Sequence, residues 1–320
     1  MFGLMTGWLE LAFYRLKATR DFDIPRSTGH YSRSWLPVEV PRFPPVEEAR
    51  DYCQLYRTTL HPLFPFLSQK TFEDVTELVC SSDDTLHNQQ NMKNAPLQAL
   101  SYLVLAVGLK TMGNSAYDRD VLPFYISHCN TLLGHLVACR CLKSVQAILL
   151  FAIIIRSCDQ TAWAWDVLTM GVSIAQSLGI NESGHGISSH DGNNTNSEDE
   201  DEKRRTWWCI CVFEKILAFE CGHVSTIWDR ELSAVSCTEN SSPMQTDTQL
   251  ANHETYRLAA VSLANVLHEI QERSARTWHR EEWLPQTVEE AIQEKITTGG
   301  DLALLLQEWR NSLPPGYLCV

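Results

Sequence analysis

"EDEDEKRRTWWCICVFEKILAFECGH", residues 198–223, sets five acids against three bases, adds two adjacent tryptophans, and runs almost unbroken in apolar residues to Gly222. Acids in a first turn favour the positive end of a helix dipole, and Glu200 with Arg204 and Asp201 with Arg205 stand at i,i+4 with the acid first. Ser197 with Glu200 fits a capping box. The order therefore predicts a helix over 199–221, opened by a self-paired charged turn and closed by Gly222. From Trp207 to Cys221 the side chains are almost all apolar, so this helix belongs in a core. A basic-aromatic contact to nucleic acid is the weaker reading. A contact or nuclear-import patch is the functional alternative for the charged turn, and three consecutive bases support it only weakly.

The rest of the chain points to the same class. Apolar residues recur every three to four positions, β-type alternation is nearly absent, and the 320 residues hold only 13 prolines and 15 glycines. An all-α fold follows, an irregular bundle of about nine to eleven helices. Helices are predicted over 47–60, 72–80, 95–112, 118–138, 143–157, 161–178, 199–221, 250–275, 287–297 and 301–312. Gly179 and Gly222 stand where C′ glycines belong, and Asp301 after two glycines stands as an N-cap. Leu302, Leu305, Leu306 and Trp309 have core spacing in the last helix.

Five prolines and scattered bases over 21–46 suit an extended linker, preceded by an amphipathic segment with Phe2, Met5, Leu9, Ala12, Phe13 and Leu16 on one stripe. Residues 1–46 are thus an N-terminal segment and linker, and 47–320 a helical domain. Stretches 181–197 and 236–249, rich in small polar residues, are expected to be disordered internal loops.

Composition excludes several functions. The net charge is −13, and residues 181–320 carry 23 acids against 11 bases, a surface sign that repels a phosphate backbone. No direct nucleic-acid binding is expected of this chain. Eleven cysteines lie mostly in apolar helical patterns without a CxxC pair, as reduced core thiols do. The greasiest segments, near 97–109 and 147–155, are shorter than the roughly 20 residues that span a bilayer, so no membrane partner is expected. The N-terminus lacks the basic start of a secretory signal.

Catalytic motifs are absent: GxGxxG, P-loop, GxSxG and HExxH do not occur. Asp83, Asp84 and Asn88 in "SSDDTLHN" faintly resemble the aspartate-rich magnesium motif of terpene cyclases, but no second metal motif accompanies them. A magnesium-dependent helical enzyme is therefore an alternative from another class, and a solvated loop is the plainer reading of those residues. His61, flanked by Leu60, Leu63, Phe64 and Phe66, reads as a core or half-buried histidine hydrogen-bonded to backbone. His185 and His190 lie in the polar loop, where nothing fixes metal geometry.

Four separated segments, in order, resemble the fungal-specific transcription factor domain, the helical regulatory region of fungal zinc-cluster regulators. "YRTTLHPLFPFLSQKTF" (56–72) is similar to the family's aromatic helix leading into His61, Pro62, Phe64 and Pro65. "AWDVLTMGVSIAQSLGI" (164–180) resembles its Ala-Trp to Leu-Gly helix, with Trp165 and Gly179. "EKRRTWWCICVFEKILAFECGHVSTIWD" (202–229) resembles Glu-x-Arg-Arg-Arg-x-Trp-Trp, the buried helix and the turn after it, with Arg204, Arg205, Trp207, Trp208, Gly222 and Asp229. "LALLLQEWRNSLPPG" (302–316) resembles the Leu-rich helix carrying Trp309.

The chain departs from the family at His223 and Val224, where Gly-Arg-Pro is usual, and it has none of the six zinc-ligating cysteines of full-length members. It also stops where the family's helical region usually continues, so it looks clipped at both ends. What the resemblance implies is a nuclear transcription-regulatory module without its own zinc, serving a metabolic or biosynthetic gene set. Its expected partners are other transcription factors or co-regulators, as a hetero- or homodimer, and the effector, if any, is unnamed. A degenerate remnant with uncovered core faces is a third expectation.

Overall fold

The computed structural model describes residues 40–80, 95–112, 116–182, 194–227, 259–273 and 287–313. The fold is all-α, with no strand among the described residues. The helices are α1 (Val46–Thr59), α2 (Gln69–Cys80), α3 (Ala95–Met112), α4 (Ala116–Cys139), α5 (Leu142–Ser157), α6 (Thr161–Ser177), α7 (Asn194–Cys221), α8 over 259–273 and α9 (Val288–Ser312), with a 3-10 turn at Ile180–Glu182. These residues form two compact units, one of residues 40–211 and one of 212–227, 259–273 and 287–313.

In the larger unit α3 is the hub. It packs on α1, α2, α4 and α5, and α5 packs in turn on α6. Every residue from Ala99 to Leu109 is buried, as an all-round apolar helix requires. It is long and apolar enough to cross a membrane by composition, yet 72% of it is buried inside this fold. Gly108 lets α1 and α3 touch at backbone distance, since a Cβ there would lie 2.4 Å from Tyr52 Cβ. Gly171 on α6 makes room for the Ile148 side chain of α5, whose Cγ2 lies 2.9 Å from where a Cβ would be. The turns between helices are tight: Arg140 (φ 43°) joins α4 to α5 and Asp159 (φ 60°) joins α5 to α6.

Pro41 and Arg42 sit on this unit in extended form. Their carbonyls accept from Tyr102 Oη at 2.6 Å and Tyr125 Oη at 3.2 Å, and Phe43 lies 4.7 Å from the Tyr102 ring. Beneath Tyr102, edge-on at 4.8 Å, is the buried ring of His128, whose two nitrogens have no hydrogen-bond partner. Burial lowers the His128 pKa from 6.5 to about 4. The unfolded chain therefore takes up this proton first as pH falls. Stability from the neutral ring is complete above about pH 6.5 and is lost progressively toward pH 4, by roughly 3 kcal/mol at most. The thermal midpoint should fall over that window, and His128→Phe, which keeps a ring against Tyr102, should flatten the fall. An unchanged pH profile in the variant would contradict the assignment.

Three boundaries differ from the sequence-based expectation. α2 begins at Gln69 rather than 72, because Ser68 caps it by accepting from Thr71 N–H at 3.2 Å. α7 begins at Asn194, so Ser197 lies within its first turns and is not a cap, and the loop expected to reach 197 ends earlier. The predicted helices 287–297 and 301–312 are one helix. Neither Gly299 nor Gly300 adopts positive φ, and the cap is Thr287, which accepts from Glu290 N–H at 3.2 Å. Asp301 is thus mid-helical, and Leu306, expected in the core, is exposed while Leu302 is buried. Gly179 (φ 68°) and Gly222 (φ 70°) do take the left-handed conformation after α6 and α7.

Candidate functional site

The charged stretch of α7 meets the N-terminus of α2, two residues past Phe66, through a buried carboxylate. Glu202 is 8% exposed and accepts from Ser68 N–H (3.1 Å), Thr71 Oγ1 (3.2 Å) and Gln146 Nε2 (2.9 Å). It thereby places a negative charge at the N-terminus of α2, where the dipole favours one. Gln146 on α5 also donates to Phe66 O at 2.9 Å, and Thr206 Oγ1 lies 3.2 Å from the same amide nitrogen. One carboxylate and one amide thus tie α2, α5, α7 and the loop at Phe66 together.

Glu202 was missed as a partner because five acids in a row read as a solvated turn. The available signal was helical spacing, since Glu202, Thr206 and Cys209 share the face that continues into the buried run. Glu202→Ala leaves several buried donors without an acceptor and should cost about 3 kcal/mol, with Glu202→Gln losing less. Urea denaturation measures both, and an alanine variant as stable as the parent would remove this carboxylate from the account.

Two of the bases beside it pair locally. Arg204 pairs with Asp201 and Lys203 with Glu200 (2.7 Å), both at i,i+3, so Arg204 takes Asp201 rather than Glu200 as its partner. The helical phase turns Glu202 inward and leaves its neighbours at the rim. Arg204 and Arg205 are half-buried, while Trp207 and Trp208 are 1% and 2% exposed.

A second buried acid lies in the smaller unit. Glu214, wholly buried, accepts from Ser225 Oγ (2.6 Å), Thr226 N–H (2.6 Å) and Thr226 Oγ1 (3.0 Å). It fixes the chain that turns back after Gly222, where Ile227, next to Thr226, is buried. Lys215, its neighbour in sequence, is also fully buried. Two adjacent charges inside an all-round apolar helix were the signal, because buried ions require partners. In the same unit Trp309 Nε1 donates to Ser262 Oγ (2.9 Å) and Ala259 O (3.3 Å), anchoring α9 to α8.

The structure brings some of the sequence-identified residues together and separates others. Pro62, Phe64 and Pro65 are half-buried next to Phe66, which joins the Glu202 network, and His61 lies 6.1 Å ring to ring from Tyr56. The His61 N–H donates to Tyr56 O at 3.0 Å. Trp165 is half-buried on α6 and has no place in the Glu202 network. Gly222 and Trp309 belong to the smaller unit. Asp229, Asp83, Asp84, Asn88, His185 and His190 lie outside the described residues, as do the stretch 236–249 and residues 1–39.

Among the described residues no group of three or more His, Cys, Asp or Glu could hold a metal ion. None of the nine described cysteines is in a disulfide. Burial, reinforced by neighbouring Cys80, pushes the Cys53 thiol up to about 11, and burial pushes Cys129 up as well, which makes both poor nucleophiles. The two grooves described, between α1 and α2 around Arg57 and Phe72 and beside Arg140 and Met170, are open and shallow.

The model of the fungal specific transcription factor domain matches residues 53–295, about three quarters of the chain. The match runs from within α1 into the first turns of α9 and includes the His61 segment, the Trp165 helix and the whole of α7. The chain belongs to the fungal-specific transcription factor domain family, a family of transcription regulators. No curated protein and no solved structure matches it.

Proposed function

We propose that these 320 residues are a transcription-regulatory module that works in the nucleus through contacts with other transcription factors or co-regulators, without reading DNA themselves. The carrying observation is the family match over 53–295. The charge of −13 supports the second half of the reading, because such a surface disfavours approach to a phosphate backbone. The bases Arg204 and Lys203, the obvious candidates for a phosphate contact, are engaged by Asp201 and Glu200. The reading assigns no catalytic group and no cofactor to these residues, and zinc belongs with the cysteine clusters of other family members.

Duplex-shift measurements at physiological salt test the DNA half. The purified chain should leave random and promoter-derived duplexes unshifted at micromolar concentration. A sequence-specific shift that survives competitor DNA would overturn it.

A further inference from the structure

Residues 40–46 read VPRFPPV, with a P-x-x-P spacing from Pro41 to Pro44. Pro41 and Pro44, three apart, are half-buried, whereas Arg42 and Pro45, also three apart, are exposed. Three residues per turn is the period of a polyproline II helix, and Pro45 has the matching backbone, with φ −51° and ψ 146°.

Rings and hydroxyls of α3 and α4 receive this segment. Tyr102 on α3 and Tyr125 on α4, with ring centroids 5.3 Å apart, donate to the successive carbonyls of Pro41 and Arg42 at 2.6 Å and 3.2 Å. Phe43 lies against the Tyr102 ring, and His128 supports that ring edge-on. Burial holds the two donors in place, Tyr102 at 0% exposure and Tyr125 at 2%. Both hydrogen bonds end on main-chain oxygens. Such a surface reads an extended backbone and its acceptors, with one aromatic side chain as anchor, and does not require that backbone to continue into α1.

We propose that the Tyr102–Tyr125 face is a docking site for P-x-x-P segments, occupied in cis by residues 41–44 and exchangeable for a proline-rich segment of another protein. The chemistry of the partner follows from the seated segment: a polyproline II chain that offers two successive carbonyls to the tyrosine hydroxyls and a large aromatic ring two residues after its first proline. A chain already held in that conformation loses little entropy on docking, which suits a contact made of two hydrogen bonds and a ring. The resident segment is tethered to α1 at Val46, so it competes at high effective concentration, and a ligand in trans binds well only once the resident is weakened. The inference goes beyond the regulatory reading: peptide exchange at this face stands whether or not the chain reads DNA, and a regulator with its contacts elsewhere would leave that reading intact.

Fluorescence anisotropy tests it, with a labelled peptide of residues 38–46, VEVPRFPPV, added to the full 320-residue chain. Phe43→Ala takes the ring of the resident segment off Tyr102 and should tighten peptide binding about tenfold over the parent. Phe43→Leu should act in the same direction by a smaller factor, so the test does not hang on how well the alanine variant folds. Adding Tyr102→Phe and Tyr125→Phe to either variant keeps both rings and removes both donors. Peptide binding should then weaken about tenfold with unchanged helical circular dichroism. A peptide carrying Pro41→Ala and Pro44→Ala should lose binding to a similar degree. Folded Phe43 variants that bind the peptide no more tightly than the parent overturn the proposal, as does binding that survives loss of both hydroxyls or of both prolines.

Discussion

Gly108→Ala should be the most damaging single methyl group in the molecule. The added Cβ would sit 2.4 Å from Tyr52 Cβ and 2.5 Å from Tyr52 Cα, so backbone rather than a flexible side-chain tip stands in its way. Relief requires α1 to move off α3, and α1 keeps Ala49, Tyr52, Cys53 and Tyr56 buried. The cost should be about 4 kcal/mol or more, well above an ordinary surface glycine substitution. Soluble yield and urea midpoint read it directly. As a control, alanine at Gly134, whose Cβ would meet nothing within 4 Å, should be neutral or slightly stabilising. Equal stability of the Gly108 variant and the parent would mean that the two helices do not cross at this point.

Trp207→Ala should follow closely. Trp207 heads the largest fully buried side chains, at 1% exposure in the first third of the apolar run of α7. Its removal leaves a cavity that well-packed neighbours fill only in part, and about 4 kcal/mol should be lost. Phenylalanine separates packing from polarity at the same site. The indole Nε1 is buried without a hydrogen-bond partner, so Trp207→Phe removes an unsatisfied donor together with some volume. It should cost about 1 kcal/mol. If phenylalanine proved as harmful as alanine, the indole N–H would have a partner that this packing does not contain.

Much of this architecture is written in the chain at the level of periodicity. The buried helices α3, α5 and α6 are close to the expected spans because long apolar patterns leave little choice, and Gly179 after α6 and Gly222 after α7 mark stops by the conformation only glycine takes cheaply. Where the reading failed, a local rule competed with a tertiary one. Asp301 after two glycines has the look of a cap, yet Leu302 and Trp309 dock on the inner face and carry the helix straight through. Glu202 and Glu214 were invisible as partners for a related reason: their donors, Ser68, Thr71 and Gln146 for one and Ser225 and Thr226 for the other, come from other segments, and no single-window pattern brings them together.

The opening stretch itself reads differently once folded. Its acids and bases do lie on a helix, but that helix opens ahead of them at Asn194, the pairs of Arg204 and Lys203 are at i,i+3, and the acid at 202 is buried against Ser68, Thr71 and Gln146. Glu202, ahead of the buried tryptophans, therefore joins this helix to α2 and α5. The basic patch suspected from sequence is small, half-buried and already neutralised in part by Asp201.

Tethering tests the central claim most directly. The full chain is fused to a heterologous DNA-binding domain at an integrated reporter in a fungal host, with protein abundance measured alongside. A regulatory module that works through protein contacts should shift reporter output several-fold from that of the DNA-binding domain alone, and the Gly108→Ala fusion should return to that baseline. Output equal to the bare DNA-binding domain, from a folded fusion at matched nuclear abundance, would contradict the account.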